Sequence, residues 1–192
     1  WEGYPLKGAL GGLLQEDDPA TFERARVAPE VLVVRGQRPD DGSLDYLRDT
    51  LGVLAGLLDA GGIAILDPQI LTLFDASRWH TQYLIDGGAP PRHHVLIVRT
   101  ADDQPGRSRV RTRGMRKFGR PDVDLCNVPD ADIDRAGALC EQLVELEALG
   151  AHFTDGQPLD VDGVAGELIA RPGGSLDDPQ FNNRHVVFRW PD

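Results

Sequence analysis

Seven basic side chains, Arg107, Arg109, Arg111, Arg113, Arg116, Lys117 and Arg120, fall within fourteen residues that hold no acid, in a chain whose formal net charge is -11. The first four arginines are spaced by two. On a strand that spacing puts them on one face, with Ser108, Val110 and Thr112 on the other, and successive arginines roughly 6.6 Å apart. One carboxylate cannot satisfy four cations so placed, and like charges on one face repel unless something anionic lies over them. Guanidinium presents a planar fork suited to carboxylate or phosphate. The row therefore reads either as an anion-binding surface or as a wall paired internally with Asp and Glu of neighbouring strands or of the acidic helix over 130–147.

The connection from Gly114 to Asp122 carries Gly119 and Pro121 and reads as irregular. Phe118 within it reads as a buried anchor. Near the C-terminus, Asn182 and Asn183 tolerate left-handed backbone and offer both donors and acceptors. If that turn folds beside 113–120, Asn183 and His185 join the cations. The candidate ligand-binding residues are thus Arg109, Arg111, Arg113, Arg116, Lys117, Arg120, Asn183 and His185.

Other chemistry finds no motif. Neither GxGxxG nor GxxxxGK[ST] is present, so no nucleotide cofactor is expected. HExxH, CxxC and spaced Cys/His sets are absent, and no metal is expected. Cys140 falls on a helix stripe and Cys126 has no base beside it in the sequence. The acid pairs Asp17/Asp18, Asp40/Asp41, Asp102/Asp103 and Asp177/Asp178 read as solvated turn formers.

The run TRGMRKFGRPDVDL, followed by an acidic helix and by DDPQFNNRHVVFRWP, resembles an uncharacterised family of bacterial proteins. The resemblance spans the chain from about Gly62 onward. It implies a bacterial source and brings no activity, substrate or catalytic residue with it.

The elements that must position these residues are set by period. Residues 1–14 read as a loosely structured lead-in, and EDDP starts a short helix through Phe22. Glu30 to Arg35, EVLVVR, reads as a buried strand between Pro29 and Gly36. Leu44, Leu47, Leu51, Leu54 and Leu58 recur at helical spacing after Ser43, with Val53 and Leu57 widening the apolar face. Short strands at Ile63–Leu66 and Leu71–Phe74 precede a helix capped by Asp75. His94 to Arg99 is a third buried strand, and its VLIVR nearly repeats VLVVR at 31–35. DDQPG then turns the chain into the arginine row as a hairpin.

Val123–Val128 reads as a strand. Asp130–Gly150 reads as the second long helix, with Ile133, Gly137, Cys140 and Val144 in its apolar stripe, Leu139, Leu143 and Leu146 beside it, and Glu141, Glu145 and Glu147 toward the other side. Val164–Ala170 and Val186–Trp190 read as strands, with a loop over 171–179.

The expected fold is α+β: a mostly antiparallel sheet with two long amphipathic helices on one face, ferredoxin-like in its specific form, with a doubly wound α/β sheet as the alternative. A chain of 192 residues is expected to form one domain over 1–192. Thirty-one acids against twenty bases disfavour nucleic acid as a partner. No apolar run approaches the ~20 residues of a membrane span, so no membrane partner is expected, and two cysteines suit a cytoplasmic protein. The leading expectation is a binding or interaction module engaging an acidic small molecule or protein through the arginines. The alternatives are a hydrolase or transferase acting on a small anionic substrate, with His185 or His94 as general base, and an internal salt-bridged wall with no ligand. Oligomeric state is left open.

Overall fold

A computed structural model describes residues 6–38, 42–178 and 181–191. The Asp40/Asp41 pair, residues 1–5 of the lead-in and Pro179–Gln180 of the C-terminal motif lie outside the described residues. The chain divides into two compact units, Trp1–Ala89 and Pro90–Asp192, where one domain was expected. Its architecture is α+β with a mostly antiparallel six-stranded sheet and a separate two-stranded one, so the doubly wound parallel alternative is set aside. No described helix is long and apolar enough to cross a membrane.

The first unit is mainly helical. Helices α1 (Gly8–Asp17) and α2 (Pro19–Arg26) meet at Asp18, whose carboxylate accepts from the Thr21 N–H at 2.9 Å and caps α2. Helix α1 replaces the expected loose lead-in. Its Leu14 is buried with Phe22, Ala25 and Leu73. Helix α3 (Asp45–Asp59) packs on α4 (Ala76–Tyr83), and between them strands β1 (Ile65–Asp67) and β2 (Thr72–Phe74) form an antiparallel pair. Asp75 caps α4 by accepting from Arg78 N at 2.8 Å, as its position predicts. Phe74, Trp79 and Tyr83 cluster with ring centroids 4.6–5.5 Å apart.

Two expectations for this unit are corrected. Val53 and Leu57 are exposed rather than part of a widened apolar face. Glu30–Arg35 is not a buried strand: the segment lies in no ladder, and Val31, Leu32, Val33 and Val34 are all exposed. VLVVR and VLIVR are therefore not structural repeats.

The second unit runs β3 (Leu96–Ala101), β4 (Arg107–Arg113), β5 (Asp122–Pro129), α5 (Ile133–Ala148), β6 (Pro158–Leu159), β7 (Leu168–Gly174), β8 (Arg184–Arg189). The sheet order is β3-β4-β5-β8-β7-β6, and only β5 and β8 pair in parallel. A ferredoxin-like sheet would carry two crossover helices in two βαβ units; this connectivity is three strands, one long helix and three strands. Strand β7 runs on through Pro172 to Gly174, where a loop from Arg171 was expected.

One face of the sheet packs Val110, Val123, Leu125, Ala170, Val186 and Phe188 against Ala136, Leu139, Cys140 and Leu143 of α5. The buried stripe of α5 differs from the expected one at its C-terminal end, where Glu147 is buried and Leu146 is 51% exposed.

Candidate anion-binding face

Alternation along β4 comes out as its sequence requires: Ser108, Val110 and Thr112 are buried, and Arg107, Arg109, Arg111 and Arg113 are half-buried on the other face. Strand β5 alternates in the same way. Val123 and Leu125 enter the α5 core, which turns Asp124 to the arginine side, opposite Arg111 in the ladder. The helix thus lies behind the sheet from the arginine row. Asp124 of β5, 3% exposed, accepts from Arg109 Nε at 2.9 Å, and Asp102 also attracts Arg109.

Burial pushes the Asp124 carboxyl up from its ordinary range, while Arg109, Arg111 and His185 oppose that shift. Arg107 donates to the Asn127 carbonyl at 3.1 Å. Arg111 donates to the Thr100 hydroxyl at 3.2 Å and lies over the Phe181 ring at 5.5 Å. Phe181 stacks in turn on His185, with centroids 4.4 Å apart and planes 25° apart. The stack Arg111–Phe181–His185 rests on glycine: Gly173 pairs with His185 in the ladder, and Gly174 has a φ of +71°. A Cβ at Gly174 would sit 2.6 Å from His185 Nδ1, so no larger residue fits without moving the ring.

The loop cations are used differently. Arg116 donates to the carbonyls of Leu176 and Asn182 at 2.9 and 2.7 Å, and Lys117 to that of His94 at 3.0 Å. Arg120 is 8% exposed and donates to the Glu147 carbonyl at 3.1 Å. Asn183, 3% exposed, donates to the Arg120 carbonyl at 2.8 Å and to Asp122 at 2.9 Å. These four clamp the turn Met115–Phe118, the end of α5 and the segment after Phe181 to one another. Phe118 is buried beneath them, edge-on to His94. The two stretches TRGMRKFGRPDVDL and FNNRHVVFRW are thereby joined, through Arg116, through Asn183 and through the β5–β8 ladder.

Asp122 completes this knot. Fully buried, it accepts from Thr112 Oγ1, from the Met115 N–H and from Asn183, at 3.0, 3.2 and 2.9 Å. Burial raises its pKa to about 6 against those three bonds.

Of the eight residues predicted for the site, Arg109, Arg111, Arg113 and His185 share the open sheet face, whereas Arg120 and Asn183 are inside. Missed were Asp124, Phe181 and the Gly173–Gly174 bed. The alternation Asp122-Val-Asp124-Leu carries the signal for Asp124. Phe181 lies seventy residues from Arg111 in sequence, with no local sign of the contact.

His94 and the two cysteines sit in surroundings that oppose their use in catalysis. Burial, then Lys117 and His93, push the His94 imidazole down to about 3, which makes it a weak base. Burial pushes the Cys140 thiol up to about 12 and raises that of Cys126 as well. A cleft of about 370 Å³ lies on the α5 side, lined by residues including Ile97, Arg99, Val110, Ile133 and Gly137, and shares no residue with the arginine row. Among the described residues no group of three or more His, Cys, Asp or Glu is set to hold a metal. Asp102 is more than a solvated turn former: it accepts from Asn127 N at 2.6 Å. No protein-family model, curated protein or solved structure matches the chain.

Proposed function

We propose that the protein is a binding module that engages an acidic ligand or protein through the sheet face bearing Arg109, Arg111 and Arg113. The observation that supports this is the concentration of arginines on one sheet face. Arg107, Arg109, Arg111 and Arg113 stand half-buried in one row on β4, with Asp124 opposite Arg111 in the ladder. An anion supplied from outside would lie over several like charges at once, and Arg111, whose guanidinium lies over the Phe181 ring, offers it a planar fork. Arg116, Lys117 and Arg120 fix the frame on which that face is built. The bacterial family resemblance is part of the same proposal, because both of its motifs meet at this frame.

The test is titration calorimetry with a polyglutamate peptide and, in parallel, with inorganic phosphate, at low and high ionic strength. Binding should weaken with salt and be lost in Arg111→Ala/Arg113→Ala, whose melting is checked separately. Binding that ignores both salt and the double substitution would overturn the reading. The phosphate arm separates a small-anion site from an acidic-peptide surface.

A further inference from the structure

Two open strand elements of this chain fit each other. Residues 30–38 run without a turn or a bend, none of them has positive φ, and they enter no ladder. Within them Val31, Leu32, Val33 and Val34 are 39, 69, 43 and 49% exposed. Consecutive exposed β-formers that enter no ladder are a template for strand addition.

The second element is β3. It ends the six-stranded sheet, with β4 on one side and no strand on the other among the described residues. On the α5 face, the cleft of about 370 Å³ lies alongside it, with Ile97 and Arg99 in its wall.

We propose that Glu30–Val33 of one copy adds as a seventh strand, antiparallel, to the β3 edge of a second copy, and that the exchange is reciprocal. Matching apolar to apolar residues sets the register: Val31 opposite Val98, Leu32 opposite Ile97 and Val33 opposite Leu96. Charge sets the direction. In the antiparallel register Glu30 falls opposite Arg99, whereas the parallel match of VLVVR to VLIVR puts Arg35 on Arg99.

Arg99 already donates to Ser108 and Asp130 at 3.0 Å each, and a guanidinium has donors left for a further carboxylate. Leu32 shares the face of Ile97 and so points to the cleft side. The ladder stops at Leu96, because the next residue, Val95, has its N–H and carbonyl engaged by Arg92. Each copy carries both halves of the contact, so reciprocal exchange closes a two-fold dimer with two ladders. Leu96 and Val98 pair with Arg113 and Arg111 in the sheet, so Val31 and Val33 of the added strand border the arginine side, but the ladder needs none of those cations and the inference does not rest on the proposed function.

Sedimentation velocity of the full chain from micromolar to millimolar concentration tests it. The wild type should form dimers. In Leu32→Pro/Val33→Pro one proline or the other removes an N–H facing the partner strand, so dimers should be lost while the melting curve stays unchanged. Glu30→Arg should weaken the dimer about tenfold, and Glu30→Arg/Arg99→Glu should restore it. This charge pair keeps the test decisive if the proline variant folds poorly. A wild type that stays monomeric throughout would overturn the proposal, as would dimers indifferent to the prolines, or a charge reversal that the second reversal fails to rescue.

Discussion

Val31–Arg35 and Val95–Arg99, VLVVR against VLIVR, differ only in Val33 against Ile97, yet they end in opposite environments. The second runs into β3, half-buried and laddered to β4 from Leu96 to Ala101. The first lies exposed and unladdered. The difference lies in the residues downstream of each. After Arg99 the turn at DDQPG brings back a strand of strict period two, whose Ser108, Val110 and Thr112 offer one buried face. After Arg35 come Gly36, Gln37, Arg38 and Pro39, and no alternating partner strand is supplied. A β-forming run is thus a strand only where the chain supplies its neighbour. The units to which the two segments belong differ likewise: of the fourteen exposed large hydrophobics among the described residues, Leu146, Leu149 and Leu176 lie in the second unit and the other eleven in the first.

Truncating apolar side chains on the two sides of this divide should give the largest contrast. Phe188 is fully buried between β5, β7 and Phe153. Phe188→Ala should cost about 3–5 kcal/mol in urea unfolding, whereas Leu32→Ala should stay within about 0.5 kcal/mol. Comparable losses would mean that residues 30–38 are packed in solution.

The second unit was legible wherever polar and apolar residues alternate. Period two in β4 gave the one-sided arginines, and DDQPG gave the hairpin. EVLVVR misled because four consecutive apolar residues carry no period, and length and flanking glycine could not tell a strand from an exposed extended run. Helix α1 was hidden by its glycines, which weaken helix propensity. At Gly11 the reason is steric, since a Cβ would lie 2.8 Å from the Leu6 carbonyl. Asp124 could be inferred from the alternation in β5, but the layered Arg111–Phe181–His185 stack depends on the parallel β5–β8 crossover, which no local pattern encodes.

Glu147, expected toward the side of α5 away from its apolar stripe, is fully buried, with neither carboxyl oxygen hydrogen-bonded among the described residues. Burial, reinforced by Asp122 and opposed by Arg120, raises its pKa from 4.5 to about 8. Between those values the folded protein holds a proton that the unfolded chain has released, so stability should fall as pH rises through that window. Glu147→Met keeps the length of the side chain and removes the carboxyl. It should stabilise the protein by about 1–3 kcal/mol near the upper end of that window and flatten this part of the pH dependence. Urea unfolding across the window checks both. An unchanged slope would mean that the carboxyl finds water or a partner in solution.

On the sheet face, Arg109→Ala removes a guanidinium that donates to the buried Asp124 carboxylate. The expected cost is about 1–2 kcal/mol at neutral pH, moderated because Arg109 is one-third exposed. The Asp124 carboxyl should titrate higher still, as read by carboxyl-detected NMR. A neutral substitution would show Arg111 and His185 to be sufficient counter-charge.

The smallest effect belongs to the first unit. Asp18 caps α2 through the Thr21 N–H, and that hydrogen bond, first among its interactions, holds its pKa below the ordinary 3.8. For a carboxyl depressed in this way the stabilisation is present above the unfolded pKa and is lost as pH falls through the folded one. Asp18→Ala should therefore cost about 1 kcal/mol at neutral pH, a capping magnitude, and nothing once the pH is low enough to protonate the wild-type side chain. Amide exchange of α2 is the measurement. Faster exchange of 21–26 at neutral pH, converging with the wild type in acid, would locate the loss in the helix cap. An equal effect at both pH values would mean that Asp18 acts through its backbone position between α1 and α2, and that its charge is incidental.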